Sequence, residues 1–341
     1  MMSPEETDAA TLLYRTLEGP IRFALLDWAF EERIFDLCEE TAQADALAEE
    51  TGGDPKKLLI ALRALAAAGF LDQQQDGFRT PPALASFVTT HGTRSLVVNL
   101  RAMASLRHAG LSDLYVLLRP QQDGAAPRPP LFDAAHWDRT YNSLSSFHKG
   151  VFGDVMETAL VQLPEWTHVK RVLDVGAGST VLASRLIRAD PEKHVTLFDL
   201  PPVAERLKAA LPKDETRIDV VPGNYNETLP TGPFDLILCS LTLYFRNESL
   251  DRLLARLANS LAPGGLFVSL HEALEAGRSQ PSEHVLGRMT AALRHGDVSF
   301  QRGEIAAAME KAGLTRINSR EIATPFGRFQ FETGRRKDPH D

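Results

Sequence analysis

Three residues near the middle of the chain, Gly176, Gly178 and Asp199, have the types and spacing to hold a nucleoside. Asp174 closes a short apolar run that includes Val172 and Leu173, and Gly176 and Gly178 follow it. A helical pattern then places Val181, Leu182, Leu186 and Ile187 on one face, and a second apolar run, Val195 to Leu197, leads to Asp199. Glycines in such a turn let the backbone bend sharply and approach a ligand where a side chain would collide. An acid about 20 residues beyond the turn, at the end of the next strand, is placed to take two ribose hydroxyls. A charge there is costly unless it has a partner. The dinucleotide fingerprint G-x-G-x-x-G is broken, because its third glycine position is Val181. The loop alone therefore calls for a nucleoside without choosing it.

The elements that position these residues alternate strand and helix. After Asp199, the pattern predicts a helix over 201–211 and a strand from Ile218 to Val221, followed by Gly223, Asn224 and Tyr225. Next come a strand from Phe234 to Cys239, a helix over 248–261 closed by Pro263-Gly264-Gly265, and a strand from Leu266 to Leu270. A helix from Glu304 to Ala312 stops at Gly313, and two strands, 315–322 and 327–332, form the tail. This alternation predicts an α/β doubly wound sheet with an antiparallel edge.

The N-terminal part is helical. Leu12, Leu13, Leu17, Ile21, Leu25, Trp28, Ala29 and Phe35 recur at helical spacing, and a short helix starts at Asp45. Asp54 caps a helix opened by Pro55 and stopped at Gly69. Phe70 to Arg79, turning at Asp76-Gly77, reads as the small hairpin of a winged helix. The helix that would enter DNA offers only Lys56, Lys57 and Arg63 among apolar residues, which suits a buried dimerisation surface better than a groove reader. Leu96 to Leu118 reads as one further helix, Arg119 to Pro130 as a Pro-, Gly- and Gln-rich loop, and His136 to Leu163 as helix again. The expected division is a helical, winged-helix-like domain over 1–118, a loop and connecting helices over 119–168, a catalytic domain over 169–335 and a tail over 336–341.

Composition narrows the class. The 341 residues suffice for two domains, and 43% hydrophobic with 24% charged residues is ordinary for a globular protein. A net charge of -8 argues against non-specific nucleic-acid binding. No apolar run approaches the roughly 18 residues of a membrane span. The acidic start, MMSPEETDAA, lacks the basic and apolar regions of a signal peptide. Cys38 and Cys239 sit in apolar contexts and read as buried thiols of a cytoplasmic protein. No metal is expected.

The D-x-G-x-G arrangement resembles motif I of class I S-adenosyl-L-methionine (SAM) methyltransferases, although the usual third glycine is Thr180. The chain from about 11 to 335 resembles the two-domain small-molecule O-methyltransferases of the plant caffeate and acetylserotonin type and their bacterial relatives. FALLDWAFEERIFDL and LAEETGGDPKKLLIALRALAAAGFL carry the likeness in the first domain. VLDVGAG, LFDLPPV, VPGNY, FDLILCS and LAPGGLFV carry it in the second, in order and at the expected spacing. The resemblance implies a homodimer interlocked through the N-terminal domains, with SAM bound in the C-terminal half. It implies that Gly176 and Gly178 border the methionine part of SAM, that Asp174, which opens the motif, belongs to the cofactor site, and that Asp199 takes the ribose. Leu200 and Tyr225 would sandwich the adenine. Asn224 stands where the family has Asp, and Ser240 where plant members often have Lys.

One departure bears on the chemistry. The family's general base is a His just after the fourth strand, oriented by two acids. Counted from Asp235, its position here is Tyr244; counted from Gly265 and from Ala312-Gly313, the acids are His271 and Ser299. A phenol with a pKa of about 10 is a poor base at neutral pH. Methyl transfer is an in-line displacement whose rate comes mainly from alignment. A thioether carries a lone pair and no proton, so it needs no base, and a thiolate or carboxylate arrives already ionised. The favoured expectation is therefore S-methylation of a thioether acid, as in bacterial members that methylate 4-methylthio-2-hydroxybutyrate on the route to dimethylsulfoniopropionate. Tyr244 would steer the sulfur and stabilise the charge that moves onto it. His148, Lys149, His271, Arg294 and His295 are candidates for the acceptor's carboxylate, and Tyr141 and Asn142 for its hydroxyl. Two alternatives stand beside this. One is O-methylation with His271 or His295 as a displaced base, since carotenoid O-methyltransferases of this family tolerate Tyr at the His position. The other is a non-catalytic SAM-binding dimer.

Overall fold

A computed structural model describes residues 3–119 and 134–338. The chain divides into two compact units, Met1–Arg101 and Ala102–Asp341.

The first unit contains α1 (Pro4–Thr16), α2 (Glu18–Glu31), α3 (Ile34–Leu37), α4 (Ala44–Thr51) and α5 (Pro55–Ala67). The hairpin β1 (Asp72–Gln74) and β2 (Gly77–Arg79) and helix α6 (Pro82–Val88) follow. Helix α5 begins where the sequence predicts: the Asp54 carboxylate accepts from the Lys57 amide at 3.0 Å, a cap that stabilises by about 1 kcal/mol. Its Leu58, Leu62 and Leu65 recur at i, i+4 and i+7 and are buried with Ile34, Phe35, Leu47 and Phe78. The hairpin pairs Asp72 with Arg79 around the turn, as expected of a small wing. In contrast, α1 buries none of its residues, and Leu12, Leu13, Tyr14 and Leu17 all stand exposed.

Helix α7 (Val97–His108) crosses the limit between the units. The single helix expected over Leu96 to Leu118 is broken: Gly110 adopts φ 77° and admits only a short 3₁₀ turn and α8 (Leu114–Leu117) beyond it. The predicted loop lies outside the described residues after Arg119. The helix expected over His136 to Leu163 is two, α9 (Ala134–Phe147) and α10 (Gly153–Val161), joined by a π-helical turn over His148–Phe152.

The second unit is built on β3 (Arg171–Val175), α11 (Val181–Ala189), β4 (His194–Asp199), α12 (Pro201–Ala210), β5 (Ile218–Pro222) and β6 (Phe234–Ser240). It continues with α13 (Leu250–Asn259), β7 (Leu261–His271), β8 (Ala273–Leu274), α14 (Ser282–His295), β9 (Phe300–Gln301), α15 (Glu304–Lys311), β10 (Thr315–Thr324) and β11 (Gly327–Arg335). The seven-stranded sheet runs β10-β11-β7-β6-β3-β4-β5. Its central strands are parallel, and β10 and β11 supply the antiparallel edge.

Both faces of the sheet are covered, so the middles of its central strands are runs of apolar residues and the charged ones fall mainly at strand ends. Val172, Leu236, Leu238 and Val268 join one core with Leu182, Leu186 and Met156. Leu173, Ile237, Cys239 and Phe267 join the other with Leu253, Leu254, Leu257 and Met309. Pro263-Gly264-Gly265 does not end the preceding helix; α13 stops at Asn259 and the motif lies inside β7, where the pairing with β6 shifts register. Helix α14 was not read from the sequence. Among the described residues no helix is long and apolar enough to cross a membrane.

Candidate active site

The strand order reverses between β3 and β6, so their carboxyl ends diverge and leave the crevice in which open α/β sheets bind ligands. The loops that leave these two strands meet there. Gly176 and Gly178 adopt φ 71° and 65°, in the left-handed region that favours glycine. A Cβ on Gly176 would run into the Thr242 hydroxyl of the loop after β6. One on Gly178 would lie 3.0 Å from Leu144 of α9. The Gly176 amide donates to the Phe198 carbonyl at 2.8 Å, which ties the turn to β4.

Asp199 receives the Gly178 amide at 2.9 Å on one oxygen and the Leu200 amide at 2.8 Å on the other. Each oxygen keeps further acceptor capacity for a hydroxyl. Burial raises its carboxyl to about 6, against the pull of those two amides. Asp174, buried beneath the loop, is raised to about 7, first by burial and then by the charge of Asp199. Two adjacent carboxyls held up in this way favour a ligand that brings donors or positive charge.

The remaining nucleoside candidates lie around the same crevice. Leu200 caps α12 and packs half-buried against the first core. The Tyr225 hydroxyl donates to the Thr242 carbonyl at 2.8 Å, and burial lifts its pKa. Tyr225 is thereby part of the second core and a strut for the loop after β6. The Asn224 oxygen accepts from the Asn226 amide at 3.0 Å, while its amide group donates to Glu227 at 3.1 Å. At the end of β6 the Ser240 hydroxyl is buried without a hydrogen-bond partner. An unpaired buried hydroxyl costs about 1–3 kcal/mol until something satisfies it.

Tyr244 stands on the 3₁₀ turn Leu243–Phe245 after β6. It is buried, and its hydroxyl accepts from the Glu272 amide at 3.2 Å. The Arg288 guanidinium covers its ring, 4.2 Å from the centroid. That face is already occupied by a cation, so it offers little to a second positive charge on an acceptor sulfur, contrary to the expected role of the ring.

Neither nearby imidazole is a free base. His271 is 0% exposed, and its Nε2 accepts from the amides of Thr242 and Leu243 at 3.2 and 3.1 Å. The proton is therefore on Nδ1, which faces the Ser269 hydroxyl at 2.9 Å. Burial, followed by the charges of Arg288 and Arg246, lowers its pKa to about 3. The sequence offered His271 as a carboxylate ligand or displaced base; with both nitrogens engaged it is neither, and instead clamps the loop that bears Tyr244. The clamp sits beside a strained residue, Leu241, whose φ is 53°.

His148 is likewise buried, stacked on Phe152 at 4.6 Å, and bonded through Nδ1 to the Ser179 hydroxyl at 2.7 Å. Burial lowers it to about 4, so toward a carboxylate it has a neutral N–H donor to offer and not a charge. It braces the glycine loop. Tyr141 is half-buried against the first core, whereas Asn142 and Lys149 are exposed. Arg294 and His295 end α14, where the Arg294 guanidinium reaches Gly110. Sequence reasoning missed Arg288, Glu272, Ser179 and Thr242. A signal for Arg288 existed in Pro281-Ser282 followed by Val285 and Met289 at helical spacing. A cavity of about 480 Å³ lined by Leu229, Gly232, Leu261 and Arg336 opens at the amino ends of β6 and β7, the wrong end of the sheet for this chemistry.

Residues 129–315 match the family model described as O-methyltransferase domain. The chain belongs to this family. An O-methyltransferase-domain relative, demethylspheroidene O-methyltransferase of Rhodobacter capsulatus, is 27% identical over 292 residues, covering 82% of this chain and 70% of the relative. 3-Hydroxy-5-methyl-1-naphthoate 3-O-methyltransferase of Streptomyces sahachiroi is 26% identical over 334 residues, covering 94% of this chain and 91% of that protein. Among solved structures, human N-acetylserotonin methyltransferase in complex with SAM superposes with a TM-score of 0.77 at 20% identity, over 98% of this chain and 100% of that one. The likeness supports the fold: an α/β SAM-methyltransferase sheet preceded by a helical region.

Proposed function

We propose that this chain is a SAM-dependent methyltransferase whose acceptor needs no proton removed by a histidine, and that the acceptor is a thioether acid such as 4-methylthio-2-hydroxybutyrate. The observation that carries this reading is the pairing of Tyr244 in the base's place with a neutral, fully engaged His271 behind it. S-adenosyl-L-methionine is the methyl donor, supplying an electrophilic methyl on a positively charged sulfur. The residues fit it: two glycines in conformations that bring the backbone close, Asp199 with spare acceptor capacity, and the unpaired Ser240 hydroxyl. Asp174, Gly176 and Gly178 border its methionine part, Asp199 takes the ribose, and Leu200, Asn224 and Tyr225 flank the adenine.

In the favoured reaction a thioether lone pair forms the new carbon–sulfur bond as the donor's breaks. The positive charge moves from one sulfur to the other, and no proton is released. This chain's contribution is alignment, worth several orders of magnitude when the reacting atoms are held in line. Tyr244, fixed through its hydroxyl and the loop clamp, walls the acceptor side, and Tyr141 lies on the helix beside the glycine loop.

O-methylation of a hydroxylated metabolite is the second reading, favoured by the O-methyltransferase activities named for the relatives above. It requires a proton to leave with each turnover. Incubation with SAM and a panel of the thioether acid, methionine, a thiol and a catechol tests the two, each scored for methylated product and S-adenosylhomocysteine. Sulfonium product from the thioether acid supports the first reading; product from the catechol alone overturns it.

The exposed apolar residues Leu12, Leu13 and Tyr14 on α1, with Leu17 at its C-terminal cap, support a homodimer formed through the N-terminal unit.

A further inference from the structure

With both nitrogens of His271 engaged and His148 neutral, neither imidazole brings a positive charge to the acceptor side, and an anionic acceptor calls for another group. We propose that Arg288 is the carboxylate anchor of the acceptor site, held ready by Glu272; this deepens the reading above and rests on its acceptor being an acid. Arg288 lies on α14 and lays its guanidinium on the ring of Tyr244, the residue at the base's position. One nitrogen, Nη2, donates to Glu272 at 2.7 Å, and the Glu272 amide in turn holds the Tyr244 hydroxyl. The Nε of Arg288 is buried and has no hydrogen-bond partner.

A guanidinium presents five N–H donors in a flat fork that matches a carboxylate, so one bond to Glu272 leaves most of the fork unused. Stacking on Tyr244 fixes the plane of the fork, which reduces the entropy lost when a ligand docks. A buried donor left unpaired is costly, and a bound carboxylate reaching the Nε edge would remove that cost. Glu272 competes for the same fork. It balances the charge while the site is empty of acid and gives way in part when an acid arrives.

Calorimetry in the presence of S-adenosylhomocysteine, on the full chain, tests this with matched acid and amide ligands. One pair is 4-methylthio-2-hydroxybutyrate and its amide; the other is a hydroxybenzoate and its amide. Wild type should bind an acid roughly ten- to hundredfold more tightly than its amide, the span of a charge-assisted pair. Arg288→Gln should abolish that preference, Arg288→Lys should retain part of it, and Glu272→Gln should tighten the acid alone. S-adenosylhomocysteine affinity reports on the fold of each variant. Should Arg288→Gln not fold, the Lys and Glu272→Gln variants decide. No acid preference in wild type, or one that survives in Arg288→Gln, overturns the anchor. Preference confined to the hydroxybenzoate pair leaves the anchor standing and defeats the thioether reading.

Discussion

Lowering the pH from 8 to 5 should weaken the binding of S-adenosylhomocysteine about tenfold, through Asp199. This carboxyl is raised by burial to about 6, above the roughly 3.9 of a free Asp. It must be ionised to accept two ribose hydroxyls while also holding the amides of Gly178 and Leu200. At pH 8 about 99% of a group with that pKa is ionised, and at pH 5 about 9%, so the competent fraction falls about tenfold. The sign for stability is opposite. Between about pH 4 and 6 the native carboxyl keeps a proton that the unfolded chain has lost, so this group's contribution is present at low pH and lost as pH rises through 6. Ligand binding should therefore release protons near pH 6. Calorimetry at both pH values, in two buffers of different ionisation enthalpy, measures affinity and proton release together. Asp199→Asn should bind weakly at pH 8 and lose the part of the pH dependence centred near 6, leaving only what Asp174 contributes. An affinity that changes less than twofold in wild type refutes the assignment of Asp199 to the ribose.

Three further outcomes follow from the site. Gly176→Ala combines a left-handed backbone with a collision against Thr242, so it should cost about 1–2 kcal/mol or more and weaken SAM binding, measured by thermal melting and titration. His271→Leu leaves the Thr242 and Leu243 amides without an acceptor and should speed hydrogen exchange at those two amides and lower kcat. His271→Gln, which can place an oxygen near the lost Nε2, should recover much of both. If the proposed homodimer forms through this face, Leu13→Glu with Leu17→Glu should lower the mass in solution by light scattering, since both side chains stand exposed, on α1 and at its C-terminal cap; an unchanged mass would remove α1 from the interface.

The parts legible in the sequence were those set by local pattern. Asp54-Pro55 announced α5 because a cap and a first-turn proline act within a few residues. The glycine loop and Asp199 were visible because their roles depend on backbone conformation and strand ends, and Tyr244 because it could be counted from Asp235. The loss of the single helix over Leu96 to Leu118 turned on Gly110, whose break is a matter of φ and not of composition. His271 could not be read correctly. Its residue type suits a ligand or a base, and only the approach of the Thr242 and Leu243 amides, 29 and 28 residues away in sequence, makes it a clamp. The helix that carries Arg288 had a readable start and spacing, but the role of Arg288 did not, since its meaning lies in stacking on Tyr244.

Counting protons tests base-free transfer most directly. In a weakly buffered indicator assay at saturating SAM and thioether acid, above pH 7.5, methyl product and released protons are measured together. The account predicts sulfonium product with no proton released per methyl transferred. One proton for each methyl would mean that a hydroxyl or thiol is the nucleophile, and would contradict it.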